Sequence, residues 1–270
     1  LSDAKPVALP LRQTFSLSVY FGNPVGTTHI ISNLLYTYCN EKMELLIVRR
    51  AVNSIYEEGS ELMKNLRERT KVTLYDCDPD TDIPNLLERL LDEMTERARL
   101  KDEYVEQEGL PKGNPKNPRR AFQYIHDHAS PIMVIFESYY DFAKVLYDGQ
   151  QALFQELFQA QAPGTTDKTY NGYGYNIYYT ACFAPGEGLL TSTQTRMAES
   201  FNPQQFTMMF GGQLDQCGLL PLPRDYMAIN TPDEKYNHFV LYYQDKFAGL
   251  VMPCGELVHP ELDEDESPII

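Results

Sequence analysis

Residues 14–40 read TFSLSVYFGNPVGTTHIISNLLYTYCN, and the residue pattern changes twice along this stretch. The first part, up to Tyr20, alternates polar and apolar residues and is rich in aromatic and β-branched side chains, which predicts a β-strand. A short segment with two glycines and a proline follows, and this composition predicts a turn. From Thr28 onward apolar residues recur three and four positions apart, as on one face of a helix. A strand, a glycine-containing turn and a helix in this order open a βαβ unit, so the stretch predicts a parallel sheet.

Strands and helices continue to alternate along the rest of the chain. Short, bounded apolar runs predict further strands at residues 43–48, 72–75, 132–136, 175–183 and 206–210. The last quarter predicts a hairpin with strands at 239–243 and 247–252. Strands separated by helical segments are typical of an α/β fold. We therefore expect an α/β domain with a mainly parallel central sheet, flanking helices and a C-terminal β-hairpin.

The predicted helices lie at residues 28–40, 54–69 and 83–98, from Ser138 toward residue 161, and after residue 197. The clearest of them is 83–98. Seven apolar residues, Leu91 among them, fall on one face of this helix, and charged residues fill the other. Asp80 or Asp82 is placed to cap its first turn.

Composition restricts the class of protein. The chain has 270 residues, 43% apolar and 23% charged, which is typical of a globular protein. We expect one domain at 13–255, a proline-marked linker at 1–12 and an acidic tail at 256–270. The net charge of −15 repels phosphate backbones, so no nucleic-acid partner is expected. The five cysteines are widely spaced and form no C-x-x-C pair, which indicates reduced thiols and no metal site. No apolar run is long enough to span a membrane.

The turn FGNPVGTT at 21–28 stands where an open parallel sheet binds its ligand. A phosphate-binding loop reads G-x-x-x-x-G-K-[ST]: backbone N–H groups hold the phosphates, the Lys reaches the outer ones, and the hydroxyl holds magnesium. Here Thr27 stands at the Lys position, so that cation is missing, and Pro24 removes a backbone N–H. A plain β–α turn is the alternative for so short a motif. The candidate nucleotide-binding residues in the turn are Gly22, Gly26, Thr27 and Thr28.

The run PIMVIFE at 131–137 resembles the second half of an ATPase site. In such a site an apolar strand ends in Asp-Glu, the Asp for magnesium and the Glu to position the attacking water. Phe136 replaces the Asp, whereas Glu137 keeps the catalytic position. Because a lost charge partner costs roughly 10²–10³ in the rate of such a reaction, we expect no useful hydrolysis here. Glu137 is then a vestigial catalytic candidate, and binding of ATP and magnesium is expected to be weakened.

The order of these motifs resembles the FtsK/SpoIIIE group of motor ATPases. Residues 86–97 are similar to that group's segment ending E-M-x-x-R, and 211–220 to its glycine-rich segment. The strand at 174–182 resembles the one that senses the γ-phosphate, with Thr180 at or next to the polar position. The pair F-G-N-P-V-G-T-T and I-F-E-S resembles, more closely, the degenerate third ATPase domain of the EssC-type coupling proteins of type VII secretion. The resemblance implies a RecA-like P-loop NTPase fold.

The resemblance also implies a cellular setting and partners. It implies a cytoplasmic domain that follows other ATPase domains in a membrane-anchored chain and contacts the membrane only through the rest of that chain. The implied partners are small helical WXG100-type secretion substrates and the neighbouring ATPase domains, and assembly into a homo-oligomer stays open. Two alternatives remain: a slow ATPase that combines Glu137 with residues of a neighbouring domain or subunit, and a purely structural domain that closes a ring.

Three other clusters carry chemistry-bearing residues. The alternating acids between Asp76 and Asp82 hint at a calcium loop but lack its Gly and closing Glu, so no calcium is expected. His126 and His128 lie near the end of a helical stretch, where residues two apart do not share a face, and a solvated helix end is favoured over a metal site. A tyrosine cluster near the sensor strand is interpreted as sheet-edge residues, with a partner-binding surface as the alternative: Tyr170, Tyr173, Tyr175, Tyr178 and Tyr179.

Overall fold

The computed structural model describes residues 16–21, 42–109, 116–160, 174–183, 206–210, 238–243 and 246–251. The strands in these ranges are β1 (Ser16–Phe21), β2 (Glu44–Val48), β3 (Lys71–Tyr75), β4 (Ile132–Phe136), β5 (Ile177–Phe183), β6 (Phe206–Phe210), β7 (His238–Tyr243) and β8 (Lys246–Val251). The helices are α1 (Glu61–Arg69), α2 (Asp82–Gln107), α3 (Lys116–His128), α4 (Tyr139–Val145) and α5 (Asp148–Ala160). The predicted linker, phosphate-binding turn, helix at 28–40 and acidic tail lie outside the described residues.

All these strands belong to one sheet in the order β3-β2-β4-β5-β1-β6-β7-β8. The strands from β3 to β6 in this order pair in parallel, and β7 and β8 complete the sheet as an antiparallel hairpin. The prediction of a mainly parallel sheet with a C-terminal hairpin is therefore confirmed. Strand β5, which the sequence analysis compares with the γ-phosphate sensor, lies between β1 and β4, and its Thr180 is in register with Leu17 on one side and Ile135 on the other.

The direction of each crossover decides which face of the sheet a helix covers. The chain moves one way across the sheet from β2 to β3 and the opposite way from β3 to β4 and from β4 to β5. Since βαβ crossovers are right-handed, α1 belongs to one face, and α2, α4 and α5 belong to the other. The face under α2, α4 and α5 holds an apolar core built from alternate residues of the strands, among them Leu46, Val134, Phe136 and Tyr179.

The buried side of α2 differs from the predicted one at two positions. Leu91, expected on the core face, is 44% exposed, so this part of the prediction is wrong. Arg97 is only 2% exposed, although its charge suggested a place on the outer face. The cap is also different: neither Asp80 nor Asp82 caps the helix, because Asp82 is its first residue and its Oδ2 accepts from the backbone N–H of Asp76 at 2.6 Å.

Two predicted helices are shorter than expected. The one predicted at 54–69 begins only at Glu61, where the hydroxyl of Ser60 accepts from the N–H of Met63. The one predicted from Ser138 is interrupted at Leu146, whose backbone is extended with ψ 130°. At this break the side chain of Gln151 donates to the carbonyl of Leu146 at 2.9 Å, so the interruption leaves that carbonyl with a hydrogen bond.

Candidate functional site at the carboxyl edge of the sheet

Parallel pairing brings the carboxyl ends of β1 to β6 to one edge of the sheet, where α/β proteins bind ligands. Glu137 directly follows β4 at this edge, and Thr180 lies within β5. Adjacent strands are about 4.8 Å apart, so the ends of β4 and β1 are roughly 10 Å apart with β5 between them. The other candidate residues follow β1 and lie outside the described residues: Gly22, Gly26, Thr27 and Thr28.

Glu137 is 3% exposed, and its carboxylate accepts three hydrogen bonds. The backbone N–H of Arg50 and the hydroxyl of Ser54 donate to its Oε2 at 2.9 Å and 2.6 Å. The backbone N–H of Ile55 donates to its Oε1 at 2.7 Å. All three donors belong to the segment that follows β2, more than eighty residues earlier in the chain. Three of the roughly four acceptor sites of this carboxylate are therefore used by the protein itself.

We call the segment Arg50–Ile55 the β2 loop. A second carboxylate, Asp141 in α4, accepts from the N–H of Ala51 at 3.1 Å. The hydroxyl of Ser54 also accepts from the N–H of Tyr56 at 3.1 Å, and the side chain of Tyr56 is fully buried. Ser54 and Ile55 therefore donate to a carboxylate more than eighty residues away and not within a helical turn.

Phe136 lies on the opposite face of the sheet from Thr180, because it is in register with Ala181, the next residue of β5. It has no exposed surface. Its ring centroid is 4.4 Å from that of Phe142, 5.6 Å from Phe154 and 6.4 Å from Tyr179. A carboxylate at position 136 would be surrounded by these rings. The residue that the sequence comparison puts at a magnesium position therefore belongs to the hydrophobic core, and its ring does not fit a magnesium site.

The described part of this edge is acidic. Arg49 pairs with Asp76 at 2.6 Å, and Arg50 has no ion pair within the described residues. Against these two arginines stand the carboxylates of Asp76, Asp78, Asp80, Asp82, Glu137 and Asp141. Such a balance disfavours a bound triphosphate. Within the described ranges, no three His, Cys, Asp or Glu residues are grouped closely enough to hold a metal ion.

The excess of carboxylates at this edge also affects the pKa of Cys77. Burial raises the pKa of its thiol to about 12, and the nearby carboxylates, first that of Asp141, act in the same direction. Its Sγ donates to the carbonyl of Arg49 at 3.1 Å. The thiol is therefore protonated at neutral pH and is not an activated nucleophile.

The other clusters named from the sequence have structural roles. The carboxylate of Asp78 accepts from the N–H of Asp80 at 2.9 Å and from the hydroxyl of Thr81 at 2.8 Å, which lowers the pKa of Asp78. Nδ1 of His128 bonds to the carbonyl of Tyr124 one turn earlier, at the end of α3. In the tyrosine cluster, Tyr178 and Tyr179 are buried and Tyr175 is half-buried, so within the described residues this cluster does not form an open surface.

A polar cluster that sequence reasoning missed lies at the amino edge of the sheet. The guanidinium of Arg97 donates to the carbonyls of Ser130 and Asn176, at 2.8 Å and 3.0 Å, and to that of Tyr175. It also pairs with Glu93, one turn earlier in α2, at 3.1 Å. Burial lowers the pKa of Arg97, and Glu93 opposes this effect. The E-M-x-x-R pattern places Glu93 and Arg97 four residues apart, and therefore on one helix face. This spacing is the sequence signal from which the ion pair could have been predicted.

The parallel sheet, its strand order and the helices on its two faces define a mainly parallel α/β domain. No protein-family model matches the chain, and no curated protein matches its sequence. None of the helices in the described ranges has both the length and the hydropathy that a membrane span requires.

Two solved structures are similar to the chain. One is Thermomonospora curvata EccC (ATPases 2 and 3) in complex with a signal sequence peptide, with a TM-score of 0.57 and 12% identity over 93% of this chain and 39% of that chain. The other is the cytoplasmic domain of the Thermomonospora curvata type VII secretion ATPase EccC, with a TM-score of 0.55 and 12% identity over 94% of this chain and 28% of that one. This chain thus spans well under half of either structure. The similarity confirms the predicted P-loop ATPase fold.

The contacts of Glu137 lead to a first prediction. Glu137→Ala lowers the free energy of unfolding by about 2–3 kcal/mol, because three donors lose a buried acceptor. Glu137→Gln has a smaller effect, since one of its two terminal atoms still accepts. Urea unfolding measures both, and hydrogen exchange at the amides of Arg50 and Ile55 accelerates in the Ala variant. Glu57→Ala, an exposed change in the segment that follows the β2 loop, is the control. Unchanged exchange at both amides would contradict the contacts described.

Proposed function

We propose that this chain is a motor-ATPase-fold domain of a type VII secretion assembly that binds protein partners and does not itself hydrolyse ATP at a useful rate. We propose further that it corresponds to the degenerate third ATPase domain of an EssC-type coupling protein of the FtsK/SpoIIIE group. In this proposal it is the cytoplasmic part of a membrane-anchored chain, and its partners are WXG100-type substrates and neighbouring ATPase domains.

The observation that carries the proposal is the place of Phe136 in the core. A P-loop ATPase holds its magnesium ion with a carboxylate at this point of the sheet, and here the position is filled by a ring with no exposed surface. The three hydrogen bonds on Glu137 add to this, because they use most of the acceptor capacity of the group that would position water. The excess of carboxylates at the carboxyl edge acts in the same direction.

The partner side of the proposal is supported by the similar structures and by charge. One of them, EccC (ATPases 2 and 3), was solved in complex with a signal sequence peptide, which supports a role in recognising secreted proteins. Its two ATPase domains in one chain support neighbouring domains as partners. The net charge of −15 also favours a protein cargo over DNA.

An ATP turnover assay tests the catalytic half of the proposal. We expect the purified chain with magnesium and ATP to release phosphate at the same background rate as its Glu137→Gln variant. The reason is that neither a magnesium carboxylate at position 136 nor a loop lysine is present. Turnover that disappears in Glu137→Gln would contradict the proposal and favour the slow-ATPase alternative. A neighbouring domain should be included in a parallel assay, because it could supply the missing cation.

Titration with small WXG100-type proteins and with their C-terminal peptides tests the binding half. Saturable binding to the isolated chain, unchanged by ATP analogues, is the expected result. Scrambled peptides of the same composition serve as the control. Concentration-dependent assembly without affinity for any of these probes would support the ring-closing alternative instead.

A further inference from the structure

Strand β3 forms one edge of the sheet, and its outer side carries backbone groups without a partner. In a strand, successive residues direct their N–H and C=O groups to opposite sides. The carbonyl of Tyr75 accepts from the N–H of Arg49 at 2.8 Å, so Tyr75 points toward β2. Val72 and Leu74 therefore point outward, and within the described residues their two N–H and two C=O groups make no hydrogen bond. Unpaired backbone groups at a sheet edge are a template for another strand.

Both ends of this unpaired stretch are closed by the chain itself. On the amino side, the N–H of Thr70 donates to the carbonyl of Leu66 at 2.9 Å, at the end of α1. On the carboxyl side, the N–H of Asp76 donates to the side chain of Asp82 at 2.6 Å. The free part of the edge is therefore the short stretch 72–74.

The side chains of this stretch suit a contact with another strand. Thr73 is in register with Leu46 and lies on the face of the sheet under α2, whereas Val72 and Leu74 lie on the other face. All three residues of the stretch are half-buried. The strand holds no proline, and its register with β2 runs without a bulge from residue 71 to residue 75. Two of the usual protections of a sheet edge are therefore missing from β3.

The amino end of β3 carries a small excess of positive charge. Two carboxylates, Glu44 and Glu93, are shared there among three cations, Lys71, Arg89 and Arg97. Lys71 is the most exposed of the three, with 68% of its side chain accessible, against 40% for Arg89 and 3% for Arg97. The excess charge therefore lies at the exposed end of the strand.

The carboxyl end of β3 is acidic. Arg49 pairs with Asp76 at 2.6 Å. Three more carboxylates follow, and none of them has an ion pair within the part of the chain that the structure describes: Asp78, Asp80 and Asp82. When two identical strands pair antiparallel, the amino end of each lies beside the carboxyl end of the other. The two ends of β3 are therefore complementary in charge to those of a second β3.

We propose that two copies of this chain associate through their β3 strands, antiparallel, about a two-fold axis that passes between the two Thr73 residues. Val72 of each copy then lies opposite Leu74 of the other. In this register the four unpaired backbone groups of each copy form hydrogen bonds with those of the other. Lys71 of each copy approaches Asp82 of the other. The contact uses the same surface on both copies, so assembly stops at two, and the inference does not rest on the proposed function.

A second copy fits this edge better than an extended peptide does. A peptide can form the same four hydrogen bonds, but it loses conformational freedom along its whole bound segment. The edge of a second copy is already ordered by its pairing with β2, so it loses much less. The net charge of −15 on each copy opposes association, but salt screens charges farther apart than about 8 Å at physiological ionic strength. The complementary strand ends are in contact and are screened less.

Disulfide trapping tests the register. Residues that face each other at the two-fold axis have Cα atoms about 4.5 Å apart, a separation that a disulfide can span. We expect mild oxidation of Thr73→Cys to give a covalent dimer on a non-reducing gel. Val72→Cys is the control, because it lies opposite Leu74 and not opposite itself, and the unaltered chain with its five cysteines gives the background. Dimer formation by Thr73→Cys that does not exceed that of Val72→Cys would overturn the proposal.

Sedimentation equilibrium tests the association without a crosslink. We expect the mass to approach twice that of the chain as concentration rises. Thr73→Lys should raise the dissociation constant at least about tenfold, because it puts like charges directly opposite each other. Thr95→Lys, the same change at an exposed position of α2, should leave it unchanged. Both changes make the chain less acidic, so relief of general repulsion would strengthen association in both.

The outcomes separate this proposal from the proposed function. Equal melting temperatures for the unaltered chain and the two lysine variants show that the fold is intact. A monomer at every concentration, an assembly larger than two, or a dimer that Thr73→Lys does not weaken would each overturn the β3 contact. None of these results bears on ATP turnover or on binding of secreted proteins, so the proposed function would stand.

Discussion

Arg97→Met lowers the free energy of unfolding by about 3–5 kcal/mol, the usual cost of removing one partner from a buried charged cluster. The guanidinium joins three carbonyls that precede β4 and β5, and it neutralises Glu93. Without it, these carbonyls lose their donor and Glu93 loses its counter-charge. The two strands that carry Glu137 and Thr180 are aligned by this contact, so the carboxyl edge should also lose order.

Urea unfolding with Arg99→Met as the matched control measures the effect. Arg99 lies on the same helix and also pairs with carboxylates three and four residues away, but its side chain is 52% exposed. We expect the control to unfold at nearly the same urea concentration as the unaltered protein, because exposed ion pairs contribute little. Arg97→Lys should lie between the two, since it keeps the charge but has fewer donors. Equal midpoints for Arg97→Met and Arg99→Met would show that the buried cluster does not stabilise the fold.

Phe136→Asp, which restores the acid of an active ATPase to the chain, should unfold the domain instead of activating it. Truncation of a buried Phe alone costs about 3–5 kcal/mol, and an unpaired charge among Phe142, Phe154 and Tyr179 adds to that cost. Circular dichroism and urea unfolding measure the loss. The protein should precipitate or lose its cooperative transition, and no magnesium-dependent ATP turnover should appear.

Two controls accompany this change. Leu91→Asp introduces the same charge at an exposed apolar position and should alter stability by less than about 1 kcal/mol. Phe136→Leu keeps the site apolar and should cost about 1–2 kcal/mol. A folded Phe136→Asp protein that hydrolyses ATP would overturn the assignment of position 136 to the core, and with it the main support for a non-hydrolysing domain.

The helix 82–107 shows which buried residues hydrophobic periodicity predicts and which it does not. Periodicity correctly predicts that Ile83, Leu86, Leu87 and Leu90 are buried. It puts Leu91 on the same face, yet this position faces water, and it gives no place in the core to Arg97. A count of apolar residues cannot include a buried arginine, because its burial depends on carbonyls at the start of β4 and β5. Those carbonyls come close to the helix only after the sheet has formed.

At the candidate site, too, the sequence predicts the position of a residue but not its contacts. Sequence motifs placed Glu137 at the carboxyl end of a buried strand, which the structure confirms. The motifs could not show that its carboxylate holds the β2 loop, since the donors precede it by 82 to 87 residues. The start of the helix predicted at 54–69 failed for this reason: Ser54 and Ile55 donate to Glu137, and the helix begins only at Glu61.

The sequence by itself determined the α/β class, the mainly parallel sheet, the terminal hairpin and the position of Phe136 at the end of a buried strand. These follow from local propensity and from periods of two and 3.6 residues, which a short window of sequence contains. Only the tertiary structure decided that Phe136 packs inside an aromatic core, that Arg97 is buried, and that Glu137 fixes an exposed loop. Each of these depends on groups far apart in the chain, and such groups meet only when the strands have paired in their final order.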